Sequence, residues 1–353
     1  MSEEIRLYPS NWWYNAGVIG LMRVFQSINN IEESFLQDDG CIKIDRNIFE
    51  KINVDKNYFS EGKVSSIVCN SPIYKNYLQK SWEPSFKYFI NHLKTLAQYD
   101  DCGICGRGFY LPDNIINSCQ DESKENLKKF LQGIRMLDVR LNNNLAPSKK
   151  LFPNSFWNYN SSLKVCDLCG YILIHHHIPF ESAKTQNREI FINAPSFKVM
   201  WYLNKFAEQM LSKNKSYQIR EILGMSFIEF SQKVAVTLGT WSMMNIEMII
   251  KNGDRIYYYS LPIEITRVLL QKDIASLISS TNEPIVLETI LSGKFSQLIT
   301  LSHDVVRSLI TKTKAGAVSQ LKNNDSFSLE RLSEILPELY ARINYITNRE
   351  VIL

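Results

Sequence analysis

Two short segments constrain this chain more than anything else in it: "CGICG", with Cys102 and Cys105, and "VCDLCG", with Cys166 and Cys169. Each holds two thiols on one tight turn, and each second cysteine is followed by a glycine, Gly106 or Gly170, that lets backbone amides turn toward sulfur. Two such knuckles supply four thiolates, a tetrahedral set that suits Zn²⁺ and leaves no open position for water, so the ion is expected to be structural and not catalytic. Reduced buried pairs or a redox dithiol are the competing chemistry. The knuckles lie farther apart than the roughly 12–20 residues of a compact zinc ribbon, so the chain between them must loop out as an insertion carrying the 120–141 helix. The remaining cysteines, Cys41, Cys69 and Cys119, read as small core residues. An odd total of seven, four of them in close pairs, suits a reducing, cytoplasmic compartment better than a disulfide framework.

With 353 residues, 45% hydrophobic and 22% charged, the chain has the length for two globular domains and the composition for a well-formed core. Lys and Arg number 40 against 36 Asp and Glu, so any nucleic-acid surface has to be a local patch. The acidic start "MSEEIRLYPSNWWYN" is unlike a signal peptide, and no apolar run reaches membrane-spanning length; no membrane partner is expected.

Helical spacing of Tyr14, Val18, Leu21, Met22, Phe25 and Ile28 predicts a first helix capped by Ser10 or Asn11, with Gly17 and Gly20 admitting a second backbone closely. Strands are expected at "CIKI" (41–44) and "KVSSIVC" (63–69), and a helix from Tyr74 to Tyr99 interrupted at Glu83-Pro84. Gln120 to Leu141 reads as an amphipathic helix, with Leu127, Phe130, Leu131, Ile134 and Leu137 on one side. "YILIHHHIPF" and "EIFINAPS" read as strands, followed by helices over 196–211 and 217–240. "NIEMIIKNGDRIYYYSLP" is a β-hairpin turning at Asn252-Gly253, spanning about 246–260. Everything beyond Pro262 reads as helix. The fold class expected is therefore α+β: a mixed domain over 1–260 with an inserted four-cysteine zinc-knuckle module, then a small all-helical domain over 261–353.

His175, His176 and His177 invite a catalytic metal, but on a strand at most His175 and His177 share a face, with Glu181 the nearest acid; a solvent- or partner-facing strand end is the simpler expectation. His303-Asp304 resembles the dyad of metal nucleases without its further ligands, and "LSHDVV" reads as a helix start. No phosphate loop, dinucleotide fingerprint or serine nucleophile elbow is present. The expectation is a protein that is not an enzyme, with a zinc-dependent nuclease or a zinc-knuckle protein adaptor as alternatives.

"NWWYNAGVIGLMRVF", the two knuckles, "INAPSFKVMWYLNK" (192–205) and "WSMMNIEMIIKNGDRIYYYSLP" (241–262) together resemble the large subunit of type I-B CRISPR surveillance complexes (Cascade), over residues 9 to about 310. The resemblance implies a non-catalytic subunit that holds the guide RNA 5′ end, reads the protospacer-adjacent motif of double-stranded target DNA and helps recruit a helicase-nuclease. Its partners would be the guide RNA, the target DNA, and the backbone and small subunits. Guide pairing then supplies most of the sequence specificity, a division of labour known from other RNA-guided effectors. Members of that family often end in a longer helical bundle, a role that separate small subunits would fill here; a relative serving an RNA-guided transposon would share the chemistry. On this reading Asn11 and Asn15 are polar base contacts, Trp12 and Trp13 a stacking or wedge surface, and Asn193 a phosphate or base contact at a helix start. Arg107, Lys149, Lys150, Lys164 and Lys198 are phosphate contacts, and Arg307, Lys312 and Lys314 lie where a displaced strand would track. Capping, core packing and solvation are the plain alternatives for each of these residues.

Overall fold

A computed structural model describes residues 4–29, 34–54, 58, 82–138, 162–182, 184–185, 188–213, 217–234, 245–252, 255–313 and 316–348. The "KVSSIVC" segment, the first part of the helix expected from Tyr74, Lys149, Lys150 and Lys314 lie outside them. The chain is a mixture of helix and sheet that gathers into two compact units: Met1–Trp201 with Ile249–Tyr258, and Tyr202–Met248 with Tyr259–Leu353. Residues 202–248 thus cluster with the C-terminal helices, whereas the sequence places the boundary near 260. None of the described helices is long and apolar enough to cross a membrane.

The first unit opens with β1 (Glu4–Leu7), α1 (Trp12–Asn29) and β2 (Ile42–Asp45), β1 and β2 pairing antiparallel with Ile5 opposite Ile44. Asn11 caps α1: its Oδ1 accepts the Tyr14 amide at 3.0 Å. Next comes α2 (Glu83–Asn91), which starts at the proline that was expected to interrupt it, because Pro84 in the first turn forfeits no helical hydrogen bond. The expected run to Tyr99 instead ends at Asn91, followed by a 3₁₀ turn and β3 (Ala97–Tyr99). β3 pairs antiparallel with β4 (Gly108–Tyr110), and the first knuckle is the loop of that hairpin.

After α3 (Asp113–Ser118), α4 (Asp121–Ile134) buries Leu127, Phe130, Leu131 and Ile134, the stripe its period predicts. It stops at Ile134, and Leu137 falls in β5 (Met136–Asp138), which pairs with β6 (Ser162–Lys164) just ahead of the second knuckle.

"YILIHHHIPF" is not a strand. It forms α5 (Asp167–Ile174), a turn, and α6 (His177–Ser182). Residues 167–174 are buried all round, so the apolar run has no period by which to tell helix from strand. Gly17 and Gly20 of α1 face α5: a Cβ at Gly17 would stand 2.6 Å from the Ile172 carbonyl oxygen, and one at Gly20 would collide with that of His175. The two helices therefore meet backbone to backbone, as the glycine spacing predicts.

β7 (Lys184–Thr185) and β8 (Arg188–Asn193) belong with β9 (Glu247–Asn252) and β10 (Arg255–Tyr259) to a four-stranded sheet of order β10-β9-β8-β7. β9 and β10 are the hairpin read around Asn252. α7 (Phe197–Lys213) follows β8.

In the second unit α8 (Ile219–Lys233) begins with a capping box in which Gln218 and Glu221 exchange side-chain and backbone hydrogen bonds. α9 (Ile263–Leu269), α10 (Lys272–Thr281), α11 (Pro284–Leu291), α12 (Ser296–Thr311) and α13 (Ser326–Asn348) complete it. Glu283 is buried ahead of α11, and its carboxylate accepts the amides of Lys322 (2.7 Å) and Asn323 (2.9 Å), tying α11 to the approach to α13.

Candidate metal centre

The two distant knuckles meet. The thiols of Cys102, Cys105, Cys166 and Cys169 all lie within 4.8 Å of one another. Cys105 Sγ and Cys166 Sγ are 3.8 Å apart. A regular tetrahedron with Zn–S bonds of about 2.3 Å has edges of about 3.8 Å. A disulfide needs about 2.05 Å, so these thiols are not paired, and their spacing is compatible with four ligands around one ion. Among the described residues no other set of three or more His, Cys, Asp or Glu side chains converges in this way.

The backbone is shaped for sulfur. Cys166 N–H donates to Cys102 Sγ at 3.3 Å, and Cys169 N–H donates to Cys166 Sγ at 3.4 Å, so Cys166 is both a member of the cluster and the N-cap of α5. The Gly103 amide donates to the Lys164 carbonyl at 2.8 Å, joining one knuckle to the strand before the other. Gly106 has φ +67°, the left-handed turn expected of it. Gly170 is different: it is helical, and a Cβ there would stand 2.7 Å from the Ile134 carbonyl oxygen, so it is needed for close contact with the end of α4. Sulfur contacts from Cys105 and the other cysteines hold the Cys102 thiol low, whereas burial pushes Cys166 and Cys169 up. Three of the four sulfurs are buried and Cys105 is half-buried; deprotonated together they would need a neighbouring positive charge, which a divalent cation is suited to supply.

A support absent from the sequence reading is Asp167, wholly buried between the ligands Cys166 and Cys169. It accepts Arg135 Nε at 2.7 Å and Nη2 at 2.9 Å, and the Leu111 amide at 2.7 Å. This two-pronged pair fastens the second knuckle to the end of α4 and to the chain leaving β4.

The three histidines are core residues, not a strand end facing solvent: His175, His176 and His177 are 0%, 3% and 4% exposed. Tyr58 Oη lies 2.9 Å from His175 Nε2, and His175 Nδ1 lies 2.9 Å from the Tyr171 carbonyl. The carbonyl fixes a proton on Nδ1, so Nε2 accepts from Tyr58, whose oxygen is also in contact with the Tyr171 hydroxyl. Burial depresses both His175 and His176 to about 3, so each is neutral. His303 is exposed on α12, and Asp304 accepts the Ala317 amide at 3.0 Å. The side chain of Glu181 lies outside the described residues.

The expected nucleic-acid contacts divide. Asn15 is 1% exposed, and its amide is used up: Oδ1 accepts Ser10 N–H at 2.8 Å, while Nδ2 donates to the Ser10 carbonyl at 2.9 Å and to Asn193 Oδ1 at 2.9 Å. It is a clamp between α1 and β8 that is buried with both donors of its amide engaged, and the same bond engages Asn193. Trp13 is core, set edge-on to His176. Asn11 is exposed at the helix start, and Trp12 is half-buried between Phe180 and the exposed Tyr258 of β10. Lys164 pairs with Asp101, and Lys198 pairs with Asp38 at 2.7 Å. Arg107 is exposed beside the first knuckle; Arg307 and Lys312 are exposed at the end of α12, Lys312 with φ 55°. Comparison with protein-family models, with curated proteins and with solved structures gives no match.

Proposed function

We propose that the chain is the non-catalytic large subunit of a type I CRISPR RNA-guided surveillance complex, built as an α+β domain with an inserted zinc-knuckle module followed by a helical domain. Zn²⁺ bound by Cys102, Cys105, Cys166 and Cys169 braces a platform. It supplies no open ligand position, so the work left to the protein's own residues is binding. In the cytoplasm the platform holds the guide RNA 5′ end, reads the flank of double-stranded DNA and, with backbone and small subunits, presents the target to a helicase-nuclease.

The observation that carries this reading is the convergence of the family-like segments. The "NWWYN" helix, both knuckles, "INAPS" and the hairpin are scattered over some 250 residues of sequence. They touch one another through Asn15–Asn193, Trp12–Tyr258, Gly17–Ile172 and the four sulfurs. Residues that resemble a family jointly and also pack jointly form one framework. Asn15, Asn193 and Trp13 are buried in or bonded into it, and the residues that reach the surface there are Asn11, Trp12, Arg107 and Tyr257 and Tyr258 of β10.

The test is purification of the tagged full chain from its source cells and sequencing of the RNA that accompanies it. Short RNAs sharing one repeat-derived 5′ end are expected. Soluble, zinc-loaded protein that carries no such RNA would overturn the assignment.

A further inference from the structure

A cleft of about 400 Å³ runs from the β1 segment to the first knuckle. Its rim carries the exposed Arg6, Tyr8 and Arg107, and its floor the buried Tyr14, Leu168 and Cys169. We propose that this cleft binds one nucleotide unit, with the base on the floor and the phosphate at the rim. The inference deepens the nucleic-acid reading above and rests on it only for a polymer as the nucleotide's source.

Size is the first argument, since small-molecule sites run from about 300 to 1,000 Å³ and a mononucleotide fits the lower part of that range. The second is the Tyr14 hydroxyl, which is buried, lines the cleft and has no hydrogen-bond partner among the described residues. An orphan buried hydroxyl is unfavourable, and a ligand atom on the floor relieves it.

Charge decides the orientation. Once the cluster holds a divalent cation, four thiolates would leave a net charge of −2 beside Cys169, which would repel an anion from the floor and tolerate a neutral, hydrogen-bonding ring. The cations stand at the other end. Arg107 makes no ion pair among the described residues, and the acid of the rim, Glu4, is held by Lys43 at 2.6 Å. Guanidinium groups bind phosphate through paired N–H bonds, and the ring of Tyr8, 52% exposed, is available for stacking at the mouth.

The experiment is calorimetric titration of the full, zinc-loaded chain with the four nucleoside 5′-monophosphates, the matching nucleosides, inorganic phosphate, and short oligonucleotides with and without a 5′-phosphate. At least one monophosphate is expected to bind at least tenfold more tightly than its nucleoside or than phosphate alone. Arg107→Ala should weaken it about tenfold and Tyr14→Phe about fivefold, with zinc content unchanged. An oligonucleotide that outcompetes the monophosphate identifies a strand as the source, and equal affinity identifies the free nucleotide; both support the site. No binding by any nucleotide or oligonucleotide, or binding indifferent to Arg107→Ala, overturns it. Absence of guide RNA from the purified protein would sink the assignment to a CRISPR complex without altering these titrations.

Discussion

Asn15 offers a direct choice between a framework residue and a base reader, and the two make opposite predictions for Asn15→Ala. The Ser10 amide can only donate and the Ser10 carbonyl can only accept, so the side-chain orientation is fixed and Nδ2 must face Asn193 Oδ1. The substitution removes three hydrogen bonds, each worth about 1 kcal/mol net. Ser10 is exposed and recovers part of its loss from water, which leaves about 2 kcal/mol. For a unit near 200 residues that corresponds to a drop in Tm of about 4–8 °C. Urea unfolding of the zinc-loaded chain is the assay, with the midpoint falling and the m-value unchanged. Asn15→Asp should be worse than alanine, because a buried carboxylate oxygen replaces the donor that faces two acceptors. If both variants unfold within about 0.5 kcal/mol of the parent, the clamp is unimportant. Loss of DNA affinity in equally stable variants would restore the reader.

The knuckles predict one zinc per chain by elemental analysis, and Cys166→Ser, which removes both a ligand and the cap of α5, should lose the metal along with several kcal/mol of stability; well under one equivalent in the parent would refute this. A second prediction concerns pH. His175 and His176 have folded-state values near 3 against about 6.5 when unfolded, so below pH 6.5 the unfolded chain takes up protons that the folded chain refuses. Their contribution is complete above about pH 6.5 and is lost toward pH 3 at about 1.4 kcal/mol per pH unit for each histidine, or about 4 kcal/mol for the pair between pH 7 and 5. Thiolate protonation adds its own slope, so the readout is the difference between the parent and His175→Gln/His176→Gln. The double variant should show about two fewer protons taken up on unfolding at pH 5; an unchanged slope refutes the neutral pair.

What was legible in the sequence was local. The spacing of Cys102 to Cys105 and of Cys166 to Cys169, the Asn11 cap, the Leu127 to Ile134 stripe, the Gly17–Gly20 face and the Asn252 hairpin each depend on residues a few positions apart, where backbone geometry dictates the outcome. The helical "YILIHHHI" was not legible, because a helix buried on every side has no polar face to betray its period. Nor were the pairs that only folding brings together: Asp167 with Arg135, 32 residues apart, and Asn15 with Asn193, 178 apart. Two polar residues at such separations carry no pattern, and Asn15 beside two tryptophans has the same composition whether it faces a base or a neighbouring strand. One signal was available for Asp167, since an acid between two metal ligands on an apolar helix requires a buried partner.

The four-cysteine cluster and the candidate nucleic-acid surface are mechanically linked, and this governs how mutants of either should be interpreted. α5 begins at Cys166 of that cluster and presents Ile172 and His175 to the glycine face of α1, with no side chains between to absorb a shift. α1 in turn begins beside Asn11 and Trp12, and Trp12 touches Tyr258 of the hairpin. Displacing the second knuckle therefore moves α5, α1 follows because backbones in van der Waals contact cannot interpenetrate, and the exposed residues at the start of α1 move with it. A change at Cys166 or Asp167 that weakens nucleic-acid binding is then no sign of contact at those residues. Contact is established at Asn11, Trp12 or Arg107 only by variants that lose binding while keeping the zinc and the melting temperature.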